Sequence, residues 1–254
     1  MYIRDSQDLK RPIPIQESIK WREDYFTRLK NDIKPVKPSV MEPKGLSPGN
    51  EKTGISGTLY KTVFVWNLPP IVTCPGASQW CLNHCYNADT DRNIYPIEEW
   101  EENWWWFLNR PKELHDKIVQ QISQAQKPCA IRLHSSGDYF SKEYIQFWID
   151  IIKEAKDTVF WSYTRSWACK ELVPYINKLC TLERIQLFAS WDETMSKPPR
   201  DWRQSLVIHE DTKYTYQEST ENLLCPEQFE GNVNCASCGF CMKPLKSNVI
   251  FFLH

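Results

Sequence analysis

Apolar and polar positions alternate in two different ways along the middle of the chain. Five short runs rich in β-branched and aromatic residues predict strands, namely LYKTVFVWN, PCAIRLHSS, TVFWSYTRS, RIQLFASWD and QSLVIHE. The intervening SKEYIQFWIDIIKEAKD has apolar residues at 145, 148, 149 and 152, the stripe of an amphipathic helix. Helices are also predicted on both sides of Pro111 and in ACKELVPYINKLC. This alternation predicts an α/β fold with a parallel sheet, as a partial or complete β/α barrel.

Composition divides the chain into three predicted parts. Residues 1–57 are punctuated by proline and contain one amphipathic stretch, IQESIKWREDYFTRLKNDI, which predicts an N-terminal arm with a single helix. Residues 58–210 form the predicted barrel-like core. Residues 211–254 combine a cysteine-rich, metal-binding segment with SNVIFFLH, a predicted terminal strand that returns to the core.

Charge and hydropathy narrow the classes of partner. The formal net charge is −1, so the chain has no overall positive field and nucleic-acid binding is not supported. No apolar run approaches the ~18 residues of a membrane span, so no membrane partner is expected. The start, MYIRDSQDLKRPIPIQ, lacks the apolar core of a signal peptide, which favours the cytoplasm. The sequence leaves the oligomeric state open.

Polar side chains follow the predicted strands, where parallel sheets usually carry their sites. Asp138 is a candidate general base, and His134 a candidate proton donor that alternation places on the same face as Arg132. Arg165 is a candidate for binding a carboxylate or phosphate. With Tyr163, these form the predicted catalytic set. The candidate cofactor-binding residues are Ser136, Gly137 and Ser190, and Asp192 is a weaker candidate.

Four cysteines near the C-terminus have the spacing of a metal site. Cys235, Cys238 and Cys241 form C-x2-C-x2-C, and Cys225 lies ten residues before them. In a reducing cytoplasm, such a pattern indicates metal binding rather than disulfides. Four converging thiolates suit an iron–sulfur cluster, and tetrahedral zinc is the alternative.

A second group of cysteines follows the first predicted strand. Cys74, Cys81 and Cys85 have the spacing C-x6-C-x3-C in TCPGASQWCLNHCY. Three thiolates on a [4Fe–4S] cluster leave one iron open to a small-molecule ligand. Two arrangements are therefore predicted: two clusters, one in each cysteine group, or one cluster in the first group with zinc in the second.

Four stretches together resemble the gene product 88 family of phage proteins. They are LPPIVTCPGASQWCLNHCY, IRLHSSGDYFSKEYIQFWIDI, VFWSYTRSW and the cysteine-rich tail, within residues 59–245. The resemblance implies a phage origin, hence the host cytoplasm, and an iron–sulfur protein whose fold is similar to radical SAM proteins. It makes S-adenosylmethionine a candidate cofactor. Cys81-x3-Cys85 resembles the first half of the radical SAM motif, with Ala88 in place of the third cysteine and Cys74 as its substitute.

Three functions follow from these features. The first is redox or radical chemistry at a cluster with an open iron. The second is an iron–sulfur protein that transfers electrons or handles sulfur without S-adenosylmethionine. The third is a zinc-stabilised module that binds protein or nucleic acid. The near-neutral net charge of the chain counts against it.

Overall fold

The structure is a computed structural model, and it describes residues 35, 37–88, 90–208, 222–228 and 233–252. The predicted N-terminal helix at 15–33 lies outside these residues. Every strand predicted from the core sequence is present, and so is the terminal strand. The strands are β1 (Ser47–Pro48), β2 (Thr62–Trp66), β3 (Cys129–Leu133), β4 (Thr158–Thr164), β5 (Ile185–Trp191), β6 (Arg203–Ile208), β7 (Asn222–Leu224) and β8 (Asn248–Phe252).

The eight strands form one mostly parallel sheet in the order β1-β2-β3-β4-β5-β6-β8-β7. Only β1 runs antiparallel to its neighbour, β2. The predicted α/β class with a parallel sheet is therefore confirmed. The complete barrel is wrong for the described part of the chain, because β1 and β7 remain at opposite edges and do not pair. The C-terminal strand β8 lies between β6 and β7 instead of meeting the first strand.

Six helices occur in the described residues, and two of the predicted ones begin at recognisable signals. Pro111 begins the second of two consecutive helices, as expected from its missing N–H. The Ser141 side chain accepts a hydrogen bond from the Tyr144 backbone N–H and so caps the start of the helix that follows it. The helices are α1 (Gln79–Asn83), α2 (Thr90–Asn109), α3 (Pro111–Gln124), α4 (Lys142–Glu154), α5 (Val173–Cys180) and α6 (Cys235–Cys238).

Helices α3 and α4 cover one face of the sheet. Alternate strand residues point to this face, and they pack in one apolar core with the buried stripes of both helices. The strand residues include Trp66, Ile131, Leu133, Phe160 and Leu187; the helix residues include Leu114, Ile118, Ile122, Ile145, Trp148 and Ile149.

The cysteine-rich segment, rather than a helix layer, covers part of the other face. Val63, Ala130 and Trp161 pack there against Ala236 and Met242, which neighbour two of the cysteines. Because Trp161 follows Phe160 in β4, the pleat directs the two rings to opposite faces. This second face carries the thiols described below. Within the described ranges, no helix is both long and apolar enough to span a membrane.

Candidate functional site

Four cysteines surround one pocket on the second face of the sheet, which we call the thiol pocket. Arg132 of β3 and Tyr163 of β4 also line it, and the pocket is partly open to solvent. The four cysteines are Cys225 after β7, Cys235 and Cys238 in α6, and Cys241 in the following turn. The four predicted ligands therefore line one pocket, and their binding of a metal stays a prediction.

Local backbone signals fix the segment that carries three of these thiols. The Asn234 side chain accepts a hydrogen bond from the Ser237 N–H and caps α6. Gly239 ends that helix in the left-handed conformation, with φ of 65°. A Cβ atom at Gly239 would lie 2.7 Å from Leu59 Cδ1, so both the conformation and the packing require glycine there.

Two of the pocket thiols are protonated at neutral pH, because burial raises the pKa of each. Burial raises the pKa of Cys235 to about 11, and Cys225 contributes to the rise. Burial raises the pKa of Cys241 to about 12. Within the described residues, no three His, Cys, Asp or Glu side chains form a group that could hold a metal ion.

One buried arginine lines the thiol pocket, and a second, Arg203, lies over the ring of the lining residue Phe240. Arg132 is 8% exposed and Arg203 is 9% exposed. In the described part of the chain, Arg132 has no carboxylate in ion-pairing range, and its Nε has no hydrogen-bond partner. The Arg203 Nη2 likewise has none, although other atoms of that guanidinium donate to the Ser247 and Lys243 carbonyls. A buried cation without an anion is unfavourable, so an anion in the pocket suits Arg132.

The other three cysteines lie in residues 74–85, the cysteine loop, at the carboxyl end of β2. Burial raises the pKa of Cys74, and the charges of Asp138, Cys85 and Cys81 add to the rise. Cys81 lies in α1, where its N–H donates to the capping Ser78 hydroxyl over 3.0 Å. The three cysteines therefore belong to one short loop, and their role as a second metal site stays a prediction.

A buried ion pair anchors the cysteine loop to the ends of β4 and β5. Arg165 Nη1 donates to Asp192 Oδ2, and the Ser78 hydroxyl donates to the same oxygen over 2.5 Å. A Cβ atom at Gly76 would lie 2.0 Å from the Arg165 carbonyl oxygen, so the loop backbone contacts this strand end directly. The Arg165 guanidinium, which was predicted to bind a ligand, is therefore paired with Asp192 of the same chain.

Asp138 is likewise hydrogen-bonded within the protein. Its carboxylate accepts hydrogen bonds from the Thr164 hydroxyl and the Tyr139, Arg165 and Ser166 backbone N–H groups, over 2.6 to 3.2 Å. Burial raises its pKa, and these four bonds act in the opposite direction. The side chain holds the turns after β3 and β4 together, and the geometry does not favour its prediction as a general base.

His134 lies on the helix side of the sheet rather than beside Arg132. The prediction that both share one face is wrong. His134 has φ of 64°, so its side chain does not follow the regular alternation of strand side chains between the two faces. Trp66 Nε1 donates to the Tyr144 hydroxyl over 2.7 Å, which leaves that hydroxyl to donate to His134 Nε2 over 2.8 Å. Burial lowers the pKa of His134 to about 3, so the ring is neutral in this core.

This buried histidine predicts a loss of stability in mild acid. In the unfolded chain the His134 side chain has a pKa of about 6.5, so it takes up a proton below that pH, whereas in the folded protein it stays neutral. The free energy of unfolding therefore falls by about 2 kcal/mol between pH 7 and pH 5. Urea unfolding at both pH values measures the loss. His134→Asn, a residue that tolerates positive φ, should flatten this dependence. The partly exposed His115→Asn should retain it, and equal slopes in both variants would contradict the assignment.

The three predicted cofactor-binding residues lie at strand ends. The Ser136 N–H donates to Asn67 Oδ1 over 3.0 Å, and its carbonyl accepts from the Leu68 N–H. Gly137 has φ of 78° and contacts the same loop. The Ser190 carbonyl accepts from Trp167 Nε1. Of the predicted catalytic and cofactor-binding residues, Tyr163 is the one that lines the thiol pocket.

Lys52 is a pocket cation that the sequence predictions missed. It lines the pocket and pairs with Glu227 over 3.1 Å. It lies within the residues predicted as an N-terminal arm, so no local signal connected it with the cysteines. Arg203 was also missed, because it begins β6 and precedes the run predicted as a strand.

A family model described as Gene product 88 matches residues 42–244, which include all seven cysteines of the two groups. The chain belongs to the gene product 88 family. One family relative, the Gene 88 protein of Mycobacterium phage D29, is 23% identical over 202 residues, covering 69% of this chain and 80% of the relative. The Gene 88 protein of Mycobacterium phage L5 is 24% identical over 205 residues, covering 70% and 81%. No solved structure matches.

These relatives support the phage assignment made from the sequence. The names of both proteins state neither a metal nor an activity. The radical SAM-like iron–sulfur character implied by the resemblance therefore belongs with the proposals.

Proposed function

We propose that this member of the family is an iron–sulfur protein that holds a [4Fe–4S] cluster in the thiol pocket and works in electron transfer or related redox chemistry. The observation that carries the proposal is the joint placement of four cysteines and the buried, incompletely paired Arg132 around one pocket. Cysteine thiolates are the usual ligands of such clusters. The cluster would supply reversible one-electron chemistry, and Arg132 would offset part of its negative charge.

The spread of the thiols favours a cluster over a single zinc ion. Zinc requires four sulfurs at about 2.3 Å from one point. The four thiols line one pocket, but in the part of the chain that is described no three of them form a group suited to one ion. A cubane binds its thiolates at separate iron corners, so it needs ligands spread around a larger volume.

A second candidate function retains an open iron in the cysteine loop. The proximity of Cys74, Cys81 and Cys85 at the carboxyl end of β2 favours it. S-adenosylmethionine or another small molecule would bind the open iron, and release of 5′-deoxyadenosine from S-adenosylmethionine would distinguish this function. Asp138 and Arg165 are already engaged by protein partners, so the first function is the better supported.

Metal analysis of anaerobically purified protein tests the proposal. We expect about four iron atoms and about four acid-labile sulfides per chain, with broad visible absorption that dithionite bleaches. About eight irons would mean that the cysteine loop holds a second cluster. Zinc without iron would contradict the proposal and support the zinc-stabilised binding module. Iron reconstitution of zinc-free protein provides the control for incomplete loading.

A further inference from the structure

Tyr163 presents its hydroxyl to one of the four pocket thiols. The hydroxyl donates to Cys241 Sγ over 2.9 Å. The ring is fixed between Phe188 and Phe251, whose centroids lie 5.1 and 5.3 Å from its own. Packing therefore determines the direction of this hydrogen bond, and a sulfur bound to iron would accept it as readily as a thiol does.

Arg132 lies directly behind this tyrosine. Its guanidinium carbon is 5.6 Å from the centre of the Tyr163 ring, in range of a cation–π contact. Its electrostatic neighbours are Tyr86, Tyr163, Cys235 and Cys241, none of them a carboxylate. The positive charge thus stands on the thiol side of the sheet, beside two of the cysteines.

We infer, on the basis of the proposed cluster, that Arg132 and Tyr163 are positioning residues that raise its reduction potential. On reduction a bound cluster would gain one electron from a low-potential one-electron donor, supplied as dithionite in the titration, and no covalent bond would form or break. The added negative charge would be stabilised by the nearby guanidinium and by the hydrogen bond to the Cys241 sulfur. Both interactions are stronger with the reduced state, so their removal destabilises that state more.

A role in packing alone would have a different signature. Arg132→Gln shortens a buried side chain, and Tyr163→Phe removes one hydroxyl while retaining the ring. Either change could lower stability without affecting the electronic properties of the cluster. The reduction potential separates the two roles, because it compares two redox states of the same folded protein.

The experiment is an anaerobic redox titration of the full chain, followed by visible absorption and by electron paramagnetic resonance of the reduced cluster. We expect Arg132→Gln and Tyr163→Phe each to shift the midpoint potential to lower values, and Arg132→Lys to restore part of the shift. Arg110→Gln is the matched control, because it removes the same charge from the exposed start of α3. Its potential should equal that of the wild type.

The outcomes separate this inference from the proposed function. A wild-type chain that binds no iron refutes the cluster itself. If the wild type binds a cluster but its midpoint potential is unchanged in Tyr163→Phe and in folded Arg132→Gln, the inference is refuted. The proposed cluster is then still supported. Should Arg132→Gln fail to fold by circular dichroism, Tyr163→Phe decides the matter: a lower potential supports the inference and an unchanged one refutes it.

Discussion

Replacing Cys235 with serine should abolish iron binding at the thiol pocket, whereas replacing Cys180 with serine should leave it unchanged. Cys235 lies in α6 and lines the pocket. Cys180 is exposed at the end of α5. A cluster needs thiolate at each ligating position, and a serine hydroxyl is a much poorer ligand for iron. We therefore expect a fall from about four irons per chain to near zero in the first variant.

The comparison between cysteine groups locates the metal. Cys81→Ser should retain the iron if the thiol pocket holds the only cluster, and should lose about half if both groups are filled. Iron content and the visible spectrum, measured on protein of equal purity, provide the readout. Retention in Cys235→Ser together with loss in Cys81→Ser would place the cluster in the cysteine loop and overturn the assignment.

Replacing Asp192 with alanine should destabilise the fold by about 3–5 kcal/mol, the range for breaking a buried ion pair. The side chains of Arg165 and Asp192 are 9% and 4% exposed. The variant leaves a buried guanidinium without its anion, and the Ser78 hydroxyl loses its acceptor at the same time. Since Ser78 caps α1, we also expect the cysteine loop to become more susceptible to proteolysis.

An exposed ion pair provides the control for this prediction. Lys112 and Asp116 lie four residues apart on α3, with side chains 86% and 57% exposed. Asp116→Ala should therefore leave the free energy of unfolding almost unchanged. Urea unfolding of the two variants and the wild type measures both costs at the same pH. Similar values for Asp192→Ala and Asp116→Ala would show that the buried pair does not anchor the loop.

The local pattern of the chain was sufficient to predict the order of most elements. β-Branched runs marked β2 to β6 and β8, and the apolar stripe with Ser141 as cap marked α4. Closure of the sheet was not predictable, because it depends on where β8 pairs. Its partners, β6 and β7, are chosen by long-range packing that leaves no local periodicity.

Spacing placed Cys235, Cys238 and Cys241 beside one pocket, because residues three positions apart lie on the same side of a helical turn. The polar strand ends were harder to interpret. Asp138 and Arg165 have the chemistry of catalytic groups, but the same chemistry holds turns together, and only their partners distinguish the two roles. The face predicted for His134 was wrong because this residue itself adopts positive φ, for which the sequence contained no signal.

The segment that carries the thiols also completes the interior of the protein. Ala236 and Met242, each adjacent to a cysteine of the pocket, bury Val63 and Trp161 on the second face of the sheet. If the thiol pocket holds the proposed cluster, metal binding would stabilise this packing, since structural metal sites contribute their binding energy to folding. Iron-free protein would then expose this face of the sheet more often than iron-loaded protein, and proteases would cleave it faster.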